Sequence, residues 1–278
     1  MIRRELADGT VLLIPQEHHA DVAAQFAAHW GGGRFATPRP YQSVVFATIY
    51  HDSGHREVEA DLPVDVEIGA PYGHRDMPAA FKRPEANVAN AMWIGTRDPY
   101  AALLASMHRT GLGKRRYGTV RSWQTDYASV SPPTADGPAG REAAFADMEP
   151  WQLEHMASLG LTDTPSQGAL WFNYRLLQVF DLLSLYFCCD GYDDGSMREV
   201  TLGGVPVDYD SAEGAEVHLT PAGESTVKMV PYPLDESPLQ VSVLARRMAP
   251  ITGFSEADVR EAYYRSPRHL LSWELVAG

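Results

Sequence analysis

The segment Gln167–Cys189 is apolar around almost its whole circumference, and it constrains the fold more than any other part of the chain. A helix with no polar face must be buried, so we expect this one to lie at the centre of the molecule. One carboxylate, Asp181, lies in its middle. A buried carboxylate is costly unless something compensates its charge. Arg175, a backbone cap or a metal ion could each do so.

The rest of the chain divides by periodicity. Residues 1–16 alternate weakly and indicate a short β element, whereas helical spacing is typical of four segments. Those segments are Gln16–Trp30, 84–95, Tyr100–Thr110 and Arg141–Leu159. Residues 56–80 suggest a long loop, and short alternating segments with one helix near Glu256–Tyr264 follow Gly191. We therefore predict a mainly α fold, with a helical bundle over residues 1–190 and a β-rich C-terminal part, 191–278, packed on it.

Composition limits the partners. The formal net charge is −13, which argues against binding to nucleic acid or to an anionic membrane, because both need a basic surface. A small-molecule substrate remains possible in a locally basic pocket. No uncharged apolar run is long enough for a signal sequence or a membrane span. Cys188 and Cys189 are neighbours and unsuited to a disulfide, so a reducing, cytoplasmic location is expected. The oligomeric state is left open.

A candidate site begins at His51-Asp52, where the apolar run Val44–Ile49 ends and Ser53-Gly54-His55 follows. An imidazole offers one neutral nitrogen to a metal ion, and a carboxylate can bridge two ions. These residues could equally form a surface turn, since Asp, Ser and Gly are common there. His19 at the start of one predicted helix and His108 near the end of another favour the metal site.

This order of residues resembles the HD-domain metalloenzyme superfamily, and the resemblance implies that residues 1–190 form an HD-like, metal-binding helical bundle. His19 would correspond to the first family histidine, His51-Asp52 to the pair that names the family, and Asp181 to its last aspartate. A closer resemblance is to an uncharacterised bacterial family of HD-like proteins. It covers roughly residues 1–190 and much of the remainder, and it rests on Gln16-Glu17-His18-His19-Ala20, Asp98-Pro99-Tyr100-Ala101-Ala102-Leu103-Leu104, Ser106-Met107-His108 and Tyr174-Arg175-Leu176-Leu177-Gln178.

The resemblance also implies a second ion. His108 fits the extra histidine of dinuclear members, and His74 is a weaker candidate because a lone loop histidine is more often a surface residue. With His74 the ligand set is similar to that of the mixed-valent diiron oxygenases of the superfamily. We therefore expect two divalent ions, iron by preference, bridged by Asp52, that use O2 to oxidise a small polar molecule. His55 and the basic run Lys114-Arg115-Arg116 are expected to contact substrate, and His55 is expected to titrate in the physiological range.

Two other functions stay open. A phosphohydrolase could use the same histidines and aspartates with manganese or magnesium. The basic run Lys114-Arg115-Arg116 would then hold the phosphate, although it could also be a solvated loop. A degenerate HD domain that binds a ligand without catalysis is the third possibility.

Overall fold

Strands from both ends of the chain form one seven-stranded sheet in the computed structural model, which describes residues 1–113, 148–161, 168–190, 197–210 and 214–278. Its strands are β1 (Ile2–Glu5), β2 (Val11–Ile14), β5 (Val200–Val205), β6 (Ala215–Pro221), β7 (Thr226–Val230), β8 (Leu239–Met248) and β9 (Arg268–Ala277). The strand order is β1-β2-β8-β9-β7-β6-β5. β7 and β9 are parallel, and the other neighbours are antiparallel.

The prediction of a mainly α fold is therefore wrong. A large mixed sheet is a principal layer of the molecule, and β1 and β2 extend it from the N-terminal side through the pairing of β2 with β8. The pairing of β2 with β8 has no local sequence signal, because all four residues of β2 are buried and the strand shows no alternation of apolar and polar side chains. The proposed boundary near residue 190 stays a prediction, although the sheet joins strands from both sides of it.

Helices form the second layer. Their bounds are α1 (Gln16–Ala28), α2 (Tyr41–Tyr50), α3 (Arg56–Asp61), α4 (Pro84–Gly95), α5 (Pro99–Gly113), α6 (Met148–Ser158), α7 (Gly168–Asp190) and α8 (Glu256–Arg265). The expected loop at 56–80 contains α3, a two-stranded sheet of β3 (Val64–Asp65) and β4 (Ala70–Pro71), and the start of a 3-10 turn, Ala79–Phe81. Of the predicted helix Arg141–Leu159, residues 141–147 lie outside the described part.

The apolar helix α7 is central, as its sequence predicts. Its side chains from Leu176 to Leu183 are almost all fully buried, and α1, α2 and α5 pack against it. Aromatic rings join this helix to α1 and to the sheet: Phe187 lies 5.7 Å from Phe26 of α1 and 5.3 Å from Trp273 of β9, measured between ring centroids. Helices and sheet therefore share one apolar core. Among the described residues, no helix is long and apolar enough to cross a membrane.

Candidate metal centre

Helix α2 delivers the His-Asp pair to the interior. The helix ends at Tyr50, His51 is its C-cap, and Asp52 precedes a 3-10 turn, Ser53–His55. The apolar face of α2 is buried through Val44 and Ala47, so the helix end comes to lie inside the molecule. His51 is fully buried and Asp52 is 5% exposed.

Three other helices bring the remaining predicted ligands to the same place. His19 lies in the second turn of α1, His108 in the C-terminal half of α5, and Asp181 near the middle of α7. All three side chains are buried. The structure therefore brings together five of the six residues for which the sequence predicted a role in metal binding.

Hydrogen bonds fix which nitrogen of two imidazoles faces the centre. Nδ1 of His19 lies next to the carbonyl oxygen of Gln16, and Nδ1 of His51 lies 2.7 Å from that of Thr48. A carbonyl oxygen can only accept, so each Nδ1 carries a proton and donates it. In the neutral ring, Nε2 then has a lone pair and can bind a metal ion.

The two carboxylates face these lone pairs. Oδ1 of Asp181 lies 3.1 Å from Nε2 of His19 and 3.4 Å from Nε2 of His51. Asp52 places Oδ2 3.6 Å from Nε2 of His19 and Oδ1 3.6 Å from Nε2 of His51. Oδ2 of Asp181 lies 3.8 Å from Nε2 of His108. Adjacent ligand atoms around an octahedral ion at about 2.1 Å lie about 3 Å apart, so a small adjustment would close this cluster around an ion.

The cluster contains two candidate ligand groups. Within each group, the ligand atoms all lie within 4.8 Å of one another. His19, His51 and Asp181 form the first group, and His51, Asp52 and His108 form the second. Nε2 of His51 is common to both and has no hydrogen-bond partner, although it is buried.

Burial sets the protonation of the site. It lowers the pKa of His19, and the hydrogen bond that the protonated ring would make with Asp181 only partly opposes this effect. Burial also lowers the pKa of His108 to about 3. For Asp181, burial alone would raise the pKa, but contacts with the imidazoles of His19 and His51, and the positive charges that His51 and His108 carry when protonated, hold the pKa well below its usual value. An ionised carboxylate beside the neutral imidazoles of His19 and His108 is a favourable ligand set for a divalent ion.

Two polar residues of the centre were missed by the sequence interpretation. Nη2 of Arg109 donates to Oδ1 of Asp52, and Nε2 of Gln16 donates to Oδ2 of the same carboxylate across 3.3 Å. Arg109 directly follows His108, so its position beside a candidate ligand was the available signal.

The remaining predicted site residues differ in outcome. His74 is in neither ligand group found among the described residues; its backbone N–H donates to the carbonyl of Met1, and its Nδ1 is buried with no hydrogen-bond partner. His55 lies at the end of the 3-10 turn, and burial lowers its pKa to about 4. This value lies below the physiological range expected from the sequence, and contact of His55 with substrate stays a prediction. Lys114, Arg115 and Arg116 lie outside the described residues.

Comparison with known proteins gives a family. The family model described as "Protein of unknown function (DUF3891)" matches residues 1–249, most of the chain. No curated protein and no solved structure matches the chain. The chain belongs to the DUF3891 family.

Proposed function

We propose that the protein is a metal-dependent hydrolase of small anionic esters, with a phosphoester as the preferred substrate class. His19, His51, Asp52 and Asp181 would hold one divalent ion. The observation that carries the proposal is that hydrogen-bond acceptors face one another at this centre. Nδ1 of His19 and Nδ1 of His51 both donate to carbonyl oxygens, so each Nε2 carries a lone pair. Both lone pairs point at Oδ1 of Asp181, which lies 3.1 Å from Nε2 of His19 and 3.4 Å from Nε2 of His51.

Such an arrangement needs a cation or a proton between its acceptors. Burial lowers the pKa of His19, which disfavours the proton. A divalent ion satisfies both lone pairs and the carboxylate together. The buried, unpartnered Nε2 of His51 supports this choice. The residues present therefore fit the metal site that the HD resemblance implies.

The charges of the centre support an anionic substrate. Asp52 and Asp181 contribute two negative charges, and Arg109 contributes one positive charge. A divalent ion would give the centre a net charge of about +1, in a protein whose formal net charge is −13. This local excess of positive charge favours an anionic group at the centre. The ligands themselves are nearly buried, which favours a small substrate.

The chain contributes positioning as well as ligands. Arg109 and Gln16 each hold one oxygen of Asp52, so this carboxylate cannot rotate freely. The carbonyl groups of Gln16 and Thr48 fix the ring orientation of His19 and His51, and such outer contacts raise the basicity of a ligand. When bound, a divalent ion supplies a Lewis acid that polarises a phosphoryl oxygen and generates a nucleophile from water near neutral pH.

The test is a paired measurement on one preparation. Protein purified without added metal is analysed for bound metals, loaded with Mn²⁺ and assayed without O2 against small phosphomonoesters and phosphodiesters. We expect release of phosphate or alcohol that is lost in Asp181→Asn and retained in Asp210→Asn, which alters an exposed carboxylate. No hydrolysis in any metal-loaded form would contradict the proposal and favour a non-catalytic, ligand-binding role.

Oxidation with O2 is the second candidate. His19, His51 and Asp181 are two histidines and one carboxylate, a set that non-haem iron(II) oxygenases also use. The same panel, extended to phosphonates and polyols, is therefore repeated with iron-loaded protein under air. Substrate-dependent O2 consumption without hydrolysis would favour oxidation over our first proposal.

A further inference from the structure

We propose that the guanidinium of Arg109 takes the place of a second metal ion, so that the centre holds one ion per chain. This inference rests on the proposed metal function and concerns the number of ions. It differs from the dinuclear site implied by the family resemblance. Its evidence is the position of Arg109 relative to the two candidate ligand groups.

Asp181 presents a different oxygen to each side of the cluster. Its Oδ1 faces His19 and His51, whereas its Oδ2 faces His108. An ion beside His19 and His51 would use Oδ1. A second ion beside His108 would therefore have Oδ2 available, together with an oxygen of Asp52.

The two carboxylate oxygens of Asp52 also face different sides of the cluster, and Arg109 contacts Oδ1, the oxygen on the side of His51. Oδ2 lies towards His19 and accepts from Gln16. Oδ1 lies towards His51 and accepts from Nη2 of Arg109. In a dinuclear site Oδ1 would have to bridge to the ion held by His108, but a cationic group already contacts it.

The ion pair is difficult to displace. The side chain of Arg109 is 12% exposed and that of Asp52 is 7% exposed, so both charged groups are largely shielded from solvent. The same guanidinium nitrogen lies 3.4 Å from the carbonyl oxygen of His51, which further fixes its position. Removal of one partner from a buried pair leaves an uncompensated charge. A second divalent ion would therefore have to expel a well-placed cation or lie beside it against charge repulsion.

A substitution at Arg109 can remove the positive charge beside Asp52 and keep the imidazole of His108. His108 and Arg109 are neighbours on α5, so replacing the guanidinium by a neutral group leaves the third imidazole in place. Arg109→Gln would expose Oδ1 of Asp52 to a second ion that His108 and Oδ2 of Asp181 could also hold. Arg109→Lys keeps the positive charge and serves as the conservative variant.

The experiment is equilibrium dialysis against Mn²⁺ with elemental analysis, together with electron paramagnetic resonance of the loaded protein. We expect one ion per chain and an isolated Mn²⁺ signal in the unmodified protein, in Arg109→Lys and in the control Arg265→Gln, whose side chain is 80% exposed. We expect two ions and an exchange-coupled signal in Arg109→Gln, and one ion again in Arg109→Gln with His108→Ala.

The outcomes separate the inference from the function. Two ions in the unmodified protein would overturn the inference and leave a metal-dependent function standing; this result needs no variant to fold. One ion in a folded Arg109→Gln protein would also overturn it. An unmodified protein that binds no ion would instead remove the metal function itself, and the inference with it.

Discussion

Nε2 of His19 lies 3.1 Å from Oδ1 of Asp181, although 162 residues separate them in the sequence. The contact joins α1 to α7, the first long helix to the central one. Both groups are acceptors when the histidine is neutral, because Nδ1 of His19 already donates to the carbonyl of Gln16. The helices thus pack in a way that brings two electron-rich atoms together inside the protein, and a metal ion between them would convert a repulsive contact into a bond to each.

Asp181→Asn is predicted to separate metal binding from folding. Changes to groups that merely support a ligand lower metal affinity by about 10- to 100-fold, so loss of a ligand carboxylate should cost at least as much. The metal-free variant should be no less stable than the metal-free parent, because the new amide can donate to the lone pair of His19. Thermal unfolding with and without Mn²⁺ measures both effects, since a bound ion raises the unfolding temperature.

Asp210→Asn is the matched control for this measurement, and it should keep the metal-dependent rise in unfolding temperature. An Asp181→Asn protein that stays folded and keeps that rise in full would show that Asp181 is not a ligand.

Gly54→Ala is predicted to disturb the turn that follows the His-Asp pair. A Cβ atom at this position would lie 2.8 Å from Oδ1 of Asn87 and 3.0 Å from the carbonyl oxygen of Ala86. The backbone oxygen cannot rotate away, so the turn and α4 must separate. Overpacking of this kind costs about 1–3 kcal/mol of unfolding free energy, and the shift should also weaken metal binding through Asp52.

Chemical denaturation and metal titration test this expectation. Gly223→Ala is the control, because its Cβ would be 3.6 Å from Thr226, an ordinary contact. Equal stability of both variants would show that the close approach at Gly54 has no energetic consequence.

The fold could be predicted from sequence only where each element carries its own signal. The circumference of α7 is apolar, so its burial was evident, and the strands β6 to β9 alternate or are bounded by turn residues. The pairing of β2 with β8 had no local signal, because Leu13 and Arg246 pair across most of the chain and β2 is buried on both faces. The large sheet was missed for that reason.

The clustering of these histidines and aspartates was more predictable than the fold, because the residues are chemically conspicuous. A carboxylate in an apolar helix and a His-Asp pair after an apolar run are both costly without a partner. Arg109 and Gln16 were harder to predict, since exposed arginines and glutamines are common and their roles depend on which way α5 and α1 face. The position of His74 could not be predicted either, because the sequence of a loop does not indicate which way a histidine side chain points.

Phe26→Ala is predicted to cost about 3–5 kcal/mol of unfolding free energy. Phe26 is fully buried and stacks on Phe187, which in turn contacts Trp273 of the sheet. Urea denaturation followed by tryptophan fluorescence and by circular dichroism should show one transition, shifted to lower urea. Leu270→Ala, at a side chain that is 67% exposed, should change stability by less than about 0.5 kcal/mol. Two separate transitions would indicate that residues 1–190 and 191–278 unfold independently.

His74→Gln is predicted to reduce the loss of stability in acid without changing the metal content. Burial lowers the pKa of His74 from 6.5 to about 3. In the unfolded chain the ring takes up a proton below about pH 6.5, whereas the folded protein keeps it neutral until about pH 3. The unfolded state therefore binds more protons between these values, and stability falls as the pH is lowered through this window.

Denaturation from pH 8 to pH 4 should show a shallower decline of the unfolding free energy in the variant. The difference between the proteins at pH 8, where the ring is neutral in both states, gives the effect of the substitution apart from ionisation. An unchanged slope would show that His74 is not held neutral by burial, and a drop in bound metal would place it among the ligands.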